Sequence, residues 1–427
     1  MPGLTAAAAL LIDYVLTACV SVAAITSLVP ELLPYTVVLA IAAVVFITLA
    51  NLRGIRDAGT IFAVPTYLFV GTMFLLIGVG LVRLVSGGIT YMPPESVKPA
   101  GTEALGLFLI LSAFAQGCSA MTGVEAISNG VPAFKAPESP NARTTTVWMG
   151  VLLGSMFLGM SYLVARVGVL PAEDETVLSQ LGRAVFGAGP LWWLLQIATA
   201  LILVLAANTS FADLPRLASI LGRDRFLPRF FQLRGGRLAF TAGITALALL
   251  SSVLLVIFQS SVDLMIPLFA VGVFASFTLS QAGMVVHWRK EHGPNWRRSA
   301  VINGFGAVAT GTVTLVIAVT KFAHGAWLVV LLIPLLATLF WAIRRHYTRL
   351  ETARQPELPL DPAGVHARVV VPVADLGMPA RQALALARAL AGGRNATAVH
   401  VTESAASRPS GSAPNARPAP VATSNWR

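Results

Sequence analysis

Two carboxylates, Asp13 and Glu125, lie well inside apolar stretches of this 427-residue sequence. A charge at the centre of a bilayer costs roughly 2.5–3.5 kcal/mol on insertion scales, so each carboxylate needs a physical reason. No Lys, Arg or His lies in the middle of an apolar stretch as an obvious partner. Carboxylates without a fixed cation indicate a site for a cation or a proton. Asp213 and Asp263 lie at the ends of apolar runs, where we expect water or lipid headgroups to solvate them.

Hydroxyl side chains follow Asp13 at helical spacing. Thr17 and Ser21 stand four and eight residues later. At about 100° per residue the three side chains lie within about 80° on one face of a helix. A stripe of hard oxygen ligands suits Na⁺ or K⁺. The alternative is that the hydroxyls bond to backbone carbonyls or pack against neighbouring helices, which is common in membranes.

Glu125 and Thr122 lie in an apolar span that four small or helix-breaking residues interrupt: Gly117, Gly123, Gly130 and Pro132. A helix broken within the membrane is tolerated where it lines a cavity. In inverted-repeat transporters the freed carbonyls and half-helix ends bind the substrate or the coupling ion. The alternative is a glycine-rich packing interface with a protonated Glu125.

The composition decides which elements position these residues. The chain is 56% hydrophobic and 11% charged, whereas soluble domains have about 25% charged residues. This excludes a soluble enzyme, a disordered chain and a secreted disulfide scaffold, and predicts an all-α integral membrane protein. The pattern shows no catalytic triad, metal-ligand spacing or phosphate loop, so we expect neither enzymatic activity nor a cofactor.

Ten apolar runs are long enough to cross about 30 Å of hydrocarbon. They are Leu4–Leu28, Tyr35–Leu52, Ile61–Val85, Ala104–Val131, Thr145–Val169, Phe186–Phe211, Ala239–Phe258, Leu264–His287, Ala300–Thr320 and Ala326–Ile343.

The loops between these runs alternate in charge. The even loops are basic: they hold Arg53, Arg56, Lys135, Arg143, Arg216, Arg223, Arg225, Arg229, Arg234, Arg237, Arg289, Lys290, Arg297 and Arg298. An odd loop carries the acidic run 173–175. By the positive-inside rule, both termini lie in the cytoplasm and the protein lies in the cell's inner (plasma) membrane. The net charge of +11 then needs no nucleic acid partner.

Beyond the membrane domain, which we place at residues 1–345, the composition changes. A Pro-rich linker at 346–365 precedes a partial α/β segment at 366–403. In it, Arg368–Val373 and Thr397–Val401 are predicted strands and Pro379–Ala391 an amphipathic helix, the start of a parallel βαβ unit. About 35 residues cannot cover both faces of a parallel sheet. Residues 404–427 are rich in Ser, Pro, Ala and Arg and are predicted to be disordered.

Three stretches resemble a known family. Ala120–Pro132 followed by Pro137–Ala142 is similar to the sixth membrane helix and next loop of the amino acid–polyamine–organocation superfamily. Leu10–Thr17 resembles the third helix, and Ile266–Phe274 the tenth, of its KimA-type branch of potassium–proton symporters. The resemblance implies the LeuT-like inverted-repeat fold, with helices three to twelve of twelve in this chain. It also implies a universal-stress-like tail.

The resemblance assigns roles to individual residues. It implies potassium ligands at Asp13, Thr17, Ser21 and Thr122, and proton coupling by Glu125 and Asp13. Phe269 stands where that branch tends to have a tyrosine. Two helices of the family fold precede the matched region, so we expect the chain as given not to transport. The tail, cut after its second strand, resembles a domain that would bind a regulatory nucleotide.

Three functions remain open from the sequence. The first is a secondary transporter that carries potassium with protons by alternating access, with the lipid bilayer, a small cation and a proton as partners. The second is an amino acid permease of the same superfamily, and the third a non-transporting membrane protein or regulatory fragment. A homodimer through the cytoplasmic tail is a further expectation.

Overall fold

The computed structural model describes residues 2–26, 28, 35–53, 59–94, 106–118, 123, 127–128, 130–131, 134–172, 175–233, 240–322, 325–354, 369–372, 377–390 and 396–399. Contacts divide the chain into two compact units, Met1–Arg349 and Leu350–Arg427.

The first unit is helical. The helices are α1 (Pro2–Thr26), α2 (Thr36–Leu52), α3 (Gly59–Val85), α4 (Leu107–Cys118), α5 (Glu138–Val167), α6 (Val177–Phe186), α7 (Pro190–Arg223), α8 (Thr241–Ile257), α9 (Val262–Glu291), α10 (Trp296–Thr320) and α11 (Ala326–Arg354). Each predicted apolar run contains one of these helices. Within the described ranges, seven are long and apolar enough to cross a membrane, while α2 and α8 are shorter apolar helices.

Several helices extend beyond the apolar runs that predicted them, and α7 and α11 extend farthest. Helix α7 continues to Arg223, so Arg216 and Arg223 are helical rather than part of a loop. Helix α11 continues to Arg354, into the segment predicted as a linker. An apolar run ends where the chain leaves the hydrocarbon of the bilayer. The helix continues beyond that point as long as its residues favour helical backbone hydrogen bonds.

Helix α6 is an element that the sequence pattern did not predict. The Thr176 side chain caps its start by accepting a hydrogen bond from the Ser179 backbone N–H at 3.2 Å. Gly187, with φ of 73°, ends it in a left-handed conformation that suits glycine. Ten residues are too few to span a bilayer, so a search for membrane-spanning apolar runs does not detect this helix.

Helix α1 lies at the centre of the unit. Its buried residues surround its axis and include Ala7, Ala8, Ala9 and Ala18. Small residues let neighbouring helices approach closely, which is how helices associate in lipid. Helices α7 and α9 pack against α1, and α10 packs against the other side of α9.

Helices α1 and α7 are antiparallel. The Gln196 side chain near the start of α7 donates to the carbonyl of Leu28, just beyond the end of α1, at 3.0 Å. At the opposite ends, Leu4 of α1 and Leu221 of α7 line the same cavity. Because the two helices are antiparallel, residues early in α1 face residues late in α7, and residues late in α1 face residues early in α7.

The second unit contains a parallel strand pair. Strands β1 (Val369–Pro372) and β2 (Ala396–Val399) pair in register from Val369 with Ala396 to Pro372 with Val399. Helix α12 (Met378–Leu390) connects them. The parallel βαβ pattern is therefore present, whereas residues 404–427 lie outside the described residues.

Candidate cation site

A cavity of about 280 Å³ lies between α1, α7 and α9. Its described lining residues are Tyr14, Thr17, Val20, Ser21, Gly123, Ala206, Thr209, Ser210, Asp213 and Phe269. Of the residues predicted from the sequence, the structure brings Thr17, Ser21 and Phe269 to this cavity. Thr122 and Glu125 lie outside the described residues.

The α1 wall carries the predicted polar stripe. Thr17 and Ser21 line the cavity, one turn apart. Asp13 is fully buried, and its Oδ1 atom accepts a hydrogen bond from Thr17 Oγ1 at 3.2 Å. Asp13 is therefore linked to the cavity through Thr17.

Gly272 of α9 lies against the backbone of α1 beside Asp13. A Cβ atom added to Gly272 would lie 3.7 Å from the Ala9 carbonyl oxygen and 3.8 Å from the Asp13 nitrogen. These are ordinary van der Waals distances, so α9 packs closely on the backbone of α1 at the level of Asp13.

The α7 wall was missed by the sequence analysis. Ala206, Thr209, Ser210 and Asp213 line the cavity at the spacing of one helix face. The Thr209 hydroxyl donates to the Ala206 carbonyl at 2.6 Å. Ser210 is 1% exposed, and its hydroxyl has no hydrogen-bond partner among the described residues. A buried hydroxyl of this kind calls for a water or an ion as its partner.

Asp213 was predicted to lie at the end of an apolar run, and the structure adds that it lies inside a helix. Asp213 lies inside α7, lines the cavity, and its side chain is 14% exposed. The apolar run ends at Phe211, but the helix continues beyond it, so the carboxylate stays within the bundle. Arg216 Nη1, on the next turn, lies 3.8 Å from Asp213 Oδ1 and its side chain is 47% exposed.

The antiparallel helices place the polar groups in order. Asp213 and Tyr14 lie at the end of the cavity nearest the start of α1, and Ser21 and Ala206 lie toward its other end. Thr17 and Ser210 lie between them. Arg216 follows Asp213 in the direction of Arg223, so its charge stands outside the cavity at one end.

The α4 segment lies inside the predicted membrane run. The described part of helix α4 reaches Cys118, and Gly123, with φ of 99°, lines the cavity in a backbone conformation that side chains rarely adopt. Phe269, half-buried, contributes an aromatic wall without a hydroxyl.

The lining chemistry is that of hard oxygen ligands. Across the described ranges, no group of three or more His, Cys, Asp or Glu residues could hold a metal. A carboxylate and several hydroxyls instead suit a weakly held alkali cation. An apolar helical bundle around such a cavity is the architecture of a multi-pass membrane permease.

The chain belongs to the amino acid permease family, whose family model matches residues 1–349. It is also 43% identical over 409 residues to the potassium transporter KimA of Bacillus subtilis (strain 168). That match covers 94% of this chain and 66% of the relative, so the chain spans about two thirds of the relative's length. These similarities confirm the predicted superfamily and its KimA-like branch, whereas the universal-stress-like tail stays a prediction.

Proposed function

We propose that this chain forms the transport unit of a proton-coupled potassium importer. The observation that carries the proposal is the oxygen-lined cavity between α1 and α7, in a chain similar to a potassium transporter. The hydroxyls of Thr17, Ser21 and Ser210 and the carboxylate of Asp213 would replace part of the hydration shell of a cation.

The charges around the cavity favour a cation over an amino acid. The carboxylate of an amino acid needs hydrogen-bond donors or a helix N-terminus. Asp213 lines the cavity, and Asp13 lies behind Thr17. Both carboxylates would repel a negatively charged substrate group and attract K⁺.

Proton symport requires that the proton and the cation are bound in the same state, on different groups. A carboxylate that carries the proton is neutral, while another carboxylate keeps its charge for K⁺. We assign the proton-carrying role to Asp13 and Glu125, with Asp213 as a third candidate. Rocking of helix groups around the cavity would then expose it alternately to the two sides of the membrane.

The proposal is tested by ion flux into proteoliposomes that contain the purified protein. An inward proton gradient should drive uptake of ⁸⁶Rb⁺, a tracer for K⁺, and unlabelled K⁺ should compete. The Asp13→Asn variant should abolish uptake. The matched control is Asp263→Asn, at an exposed acid in the first turn of α9, which should keep it.

Two outcomes would contradict the proposal. Proton-driven uptake of an amino acid without Rb⁺ uptake would favour the second function, an amino acid permease, as the family description suggests. Equal Rb⁺ uptake by the wild type and Asp13→Asn would place the cation path elsewhere.

A further inference from the structure

A second cavity, of about 620 Å³, opens where α1 begins, α7 ends and α11 leaves its apolar segment. We call it the arginine cleft. Leu4, Phe226 and Trp341 form its apolar wall, and Arg344, Arg345 and Asp224 contribute its charges. We infer that the arginine cleft binds the phosphodiester group of a membrane phospholipid.

The two arginines are held by aromatic rings rather than by carboxylates. The Arg344 guanidinium carbon lies 4.6 Å from the centroid of the Phe226 ring, and that of Arg345 lies 5.2 Å from the Trp341 ring. Neither arginine forms an ion pair within the described part of the chain. A ring positions a guanidinium without neutralising it, so the charge remains for an anion.

Arg183 shows the contrasting arrangement in the same protein. Its guanidinium lies 5.1 Å from the Trp192 ring, but it also pairs with Glu175 at 3.0 Å. The charge of Arg183 is paired internally, whereas the consecutive residues Arg344 and Arg345 have no such carboxylate partner among the described residues. The guanidinium groups of Arg344 and Arg345 therefore both line one cavity, where each can donate two hydrogen bonds to the same anion.

The cleft lies at the depth of lipid headgroups. The apolar part of α11 ends at Ile343, two residues after Trp341, and Arg344 and Arg345 follow directly. Tryptophan is enriched at the membrane–water boundary, and arginines at helix ends extend toward water. Basic pockets between membrane helices at this level are typical sites for phosphate headgroups.

The charge of the cleft suits an anion. Two guanidinium groups and the Asp224 carboxylate give a net charge of +1. A phosphodiester carries a single negative charge and matches it, and the apolar wall is what favours a lipid over free phosphate. The apolar wall of Leu4, Phe226 and Trp341 suits the glycerol and upper acyl carbons.

The test is native mass spectrometry of the detergent-purified protein with dioleoylphosphatidylglycerol. The Arg344→Gln/Arg345→Gln pair should bind the lipid roughly tenfold more weakly than the wild type, because two charge-assisted forks are lost. The matched control is Arg289→Gln/Lys290→Gln, at an exposed basic pair at the end of α9 outside the cleft, which should change binding less than about twofold. The Arg344→Lys/Arg345→Lys pair should lie between wild type and the Gln pair, because it keeps the charge but loses the forks.

Three results would overturn the inference. An equal loss in the cleft and control pairs would mean general surface attraction. Equal binding of dioleoylglycerol, which lacks the phosphate, would mean an apolar groove only. Displacement of the lipid by an equal concentration of inorganic phosphate would assign the cleft to a soluble anion. Melting temperatures of the cleft variants that match that of the control variant verify that the cleft variants are folded.

Discussion

Thr17 Oγ1 donates a hydrogen bond to Asp13 Oδ1 across 3.2 Å, and Thr17 also lines the cavity between α1 and α7. The buried Asp13 carboxylate is thus connected to the cavity by its hydrogen bond to the Thr17 hydroxyl. A cation bound beside Thr17 would be held in part by the charge of Asp13 behind it.

This relationship predicts a graded series of variants. Thr17→Val removes the hydroxyl but keeps the shape, and should weaken Rb⁺ binding about tenfold, since a hydrogen bond to a charged group contributes roughly 1.5–3 kcal/mol. The control is Thr312→Val in α10, an exposed threonine that bonds only its own helix carbonyl. Equilibrium binding of ⁸⁶Rb⁺ to the purified protein measures both. Equal affinities for Thr17→Val and wild type would sink the role assigned to Thr17.

Asp213 and Arg216 should give effects of opposite sign. Asp213→Asn removes a negative charge from the cavity wall and should weaken cation binding. Arg216→Gln removes the positive charge 3.8 Å from that carboxylate and should strengthen binding, by roughly two- to fivefold because the arginine is partly exposed. Binding of ⁸⁶Rb⁺ at low and high ionic strength measures the cation affinity of both variants. Weaker binding after Arg216→Gln would show that the arginine supports the site rather than opposing it.

Phe269→Tyr tests the aromatic wall. The substitution adds a hydroxyl to a half-buried ring that lines the cavity. One more oxygen ligand should tighten cation binding several-fold and favour K⁺ over Na⁺ through the higher ligand number. Competition of K⁺ and Na⁺ for bound Rb⁺ measures both quantities. A Phe277→Tyr variant, at a ring outside the described lining, is the control, and a similar gain there would argue against a local effect.

A close helix contact predicts a stability effect away from the cavity. A Cβ atom added to Gly243 of α8 would lie 2.7 Å from Pro215 Cα, a backbone atom that cannot move freely. Gly243→Ala should therefore destabilise the protein by about 1–3 kcal/mol through overpacking. Gly71→Ala in α3, where nothing lies within 4 Å, should leave the melting temperature unchanged. Similar melting temperatures for the two variants would contradict this packing.

Much of the fold followed from the sequence because membrane insertion imposes simple rules. Apolar runs located the helices, and the spacing of Asp13, Thr17 and Ser21 placed them on one face of α1. The α7 wall was not predicted from the sequence. The apolar composition ends before Arg216 although the helix continues, so Asp213 was not recognised as a residue that lines the cavity. Thr209 and Ser210 were missed because isolated hydroxyls in a membrane helix commonly bond their own backbone. Ser210 differs from such hydroxyls only in where the packing of the helices places it, and the residue pattern along one helix does not predict that position.

The predicted orientation can be measured with a membrane-impermeant thiol reagent. In a background without Cys19 and Cys118, Ser86→Cys at the exposed end of α3 should be labelled from outside intact cells. Arg298→Cys, at the exposed basic start of α10, should be labelled only after the cells are opened. The reverse pattern would invert the topology.

Binding of K⁺ in the cavity between α1, α7 and α9 is tested most directly by equilibrium binding of ⁸⁶Rb⁺ to the purified protein. Asp13→Asn and Asp263→Asn are compared in parallel. We expect saturable binding that K⁺ displaces better than Na⁺, that is lost in Asp13→Asn and retained in Asp263→Asn. Rb⁺ binding that is equally strong in both variants would contradict this expectation.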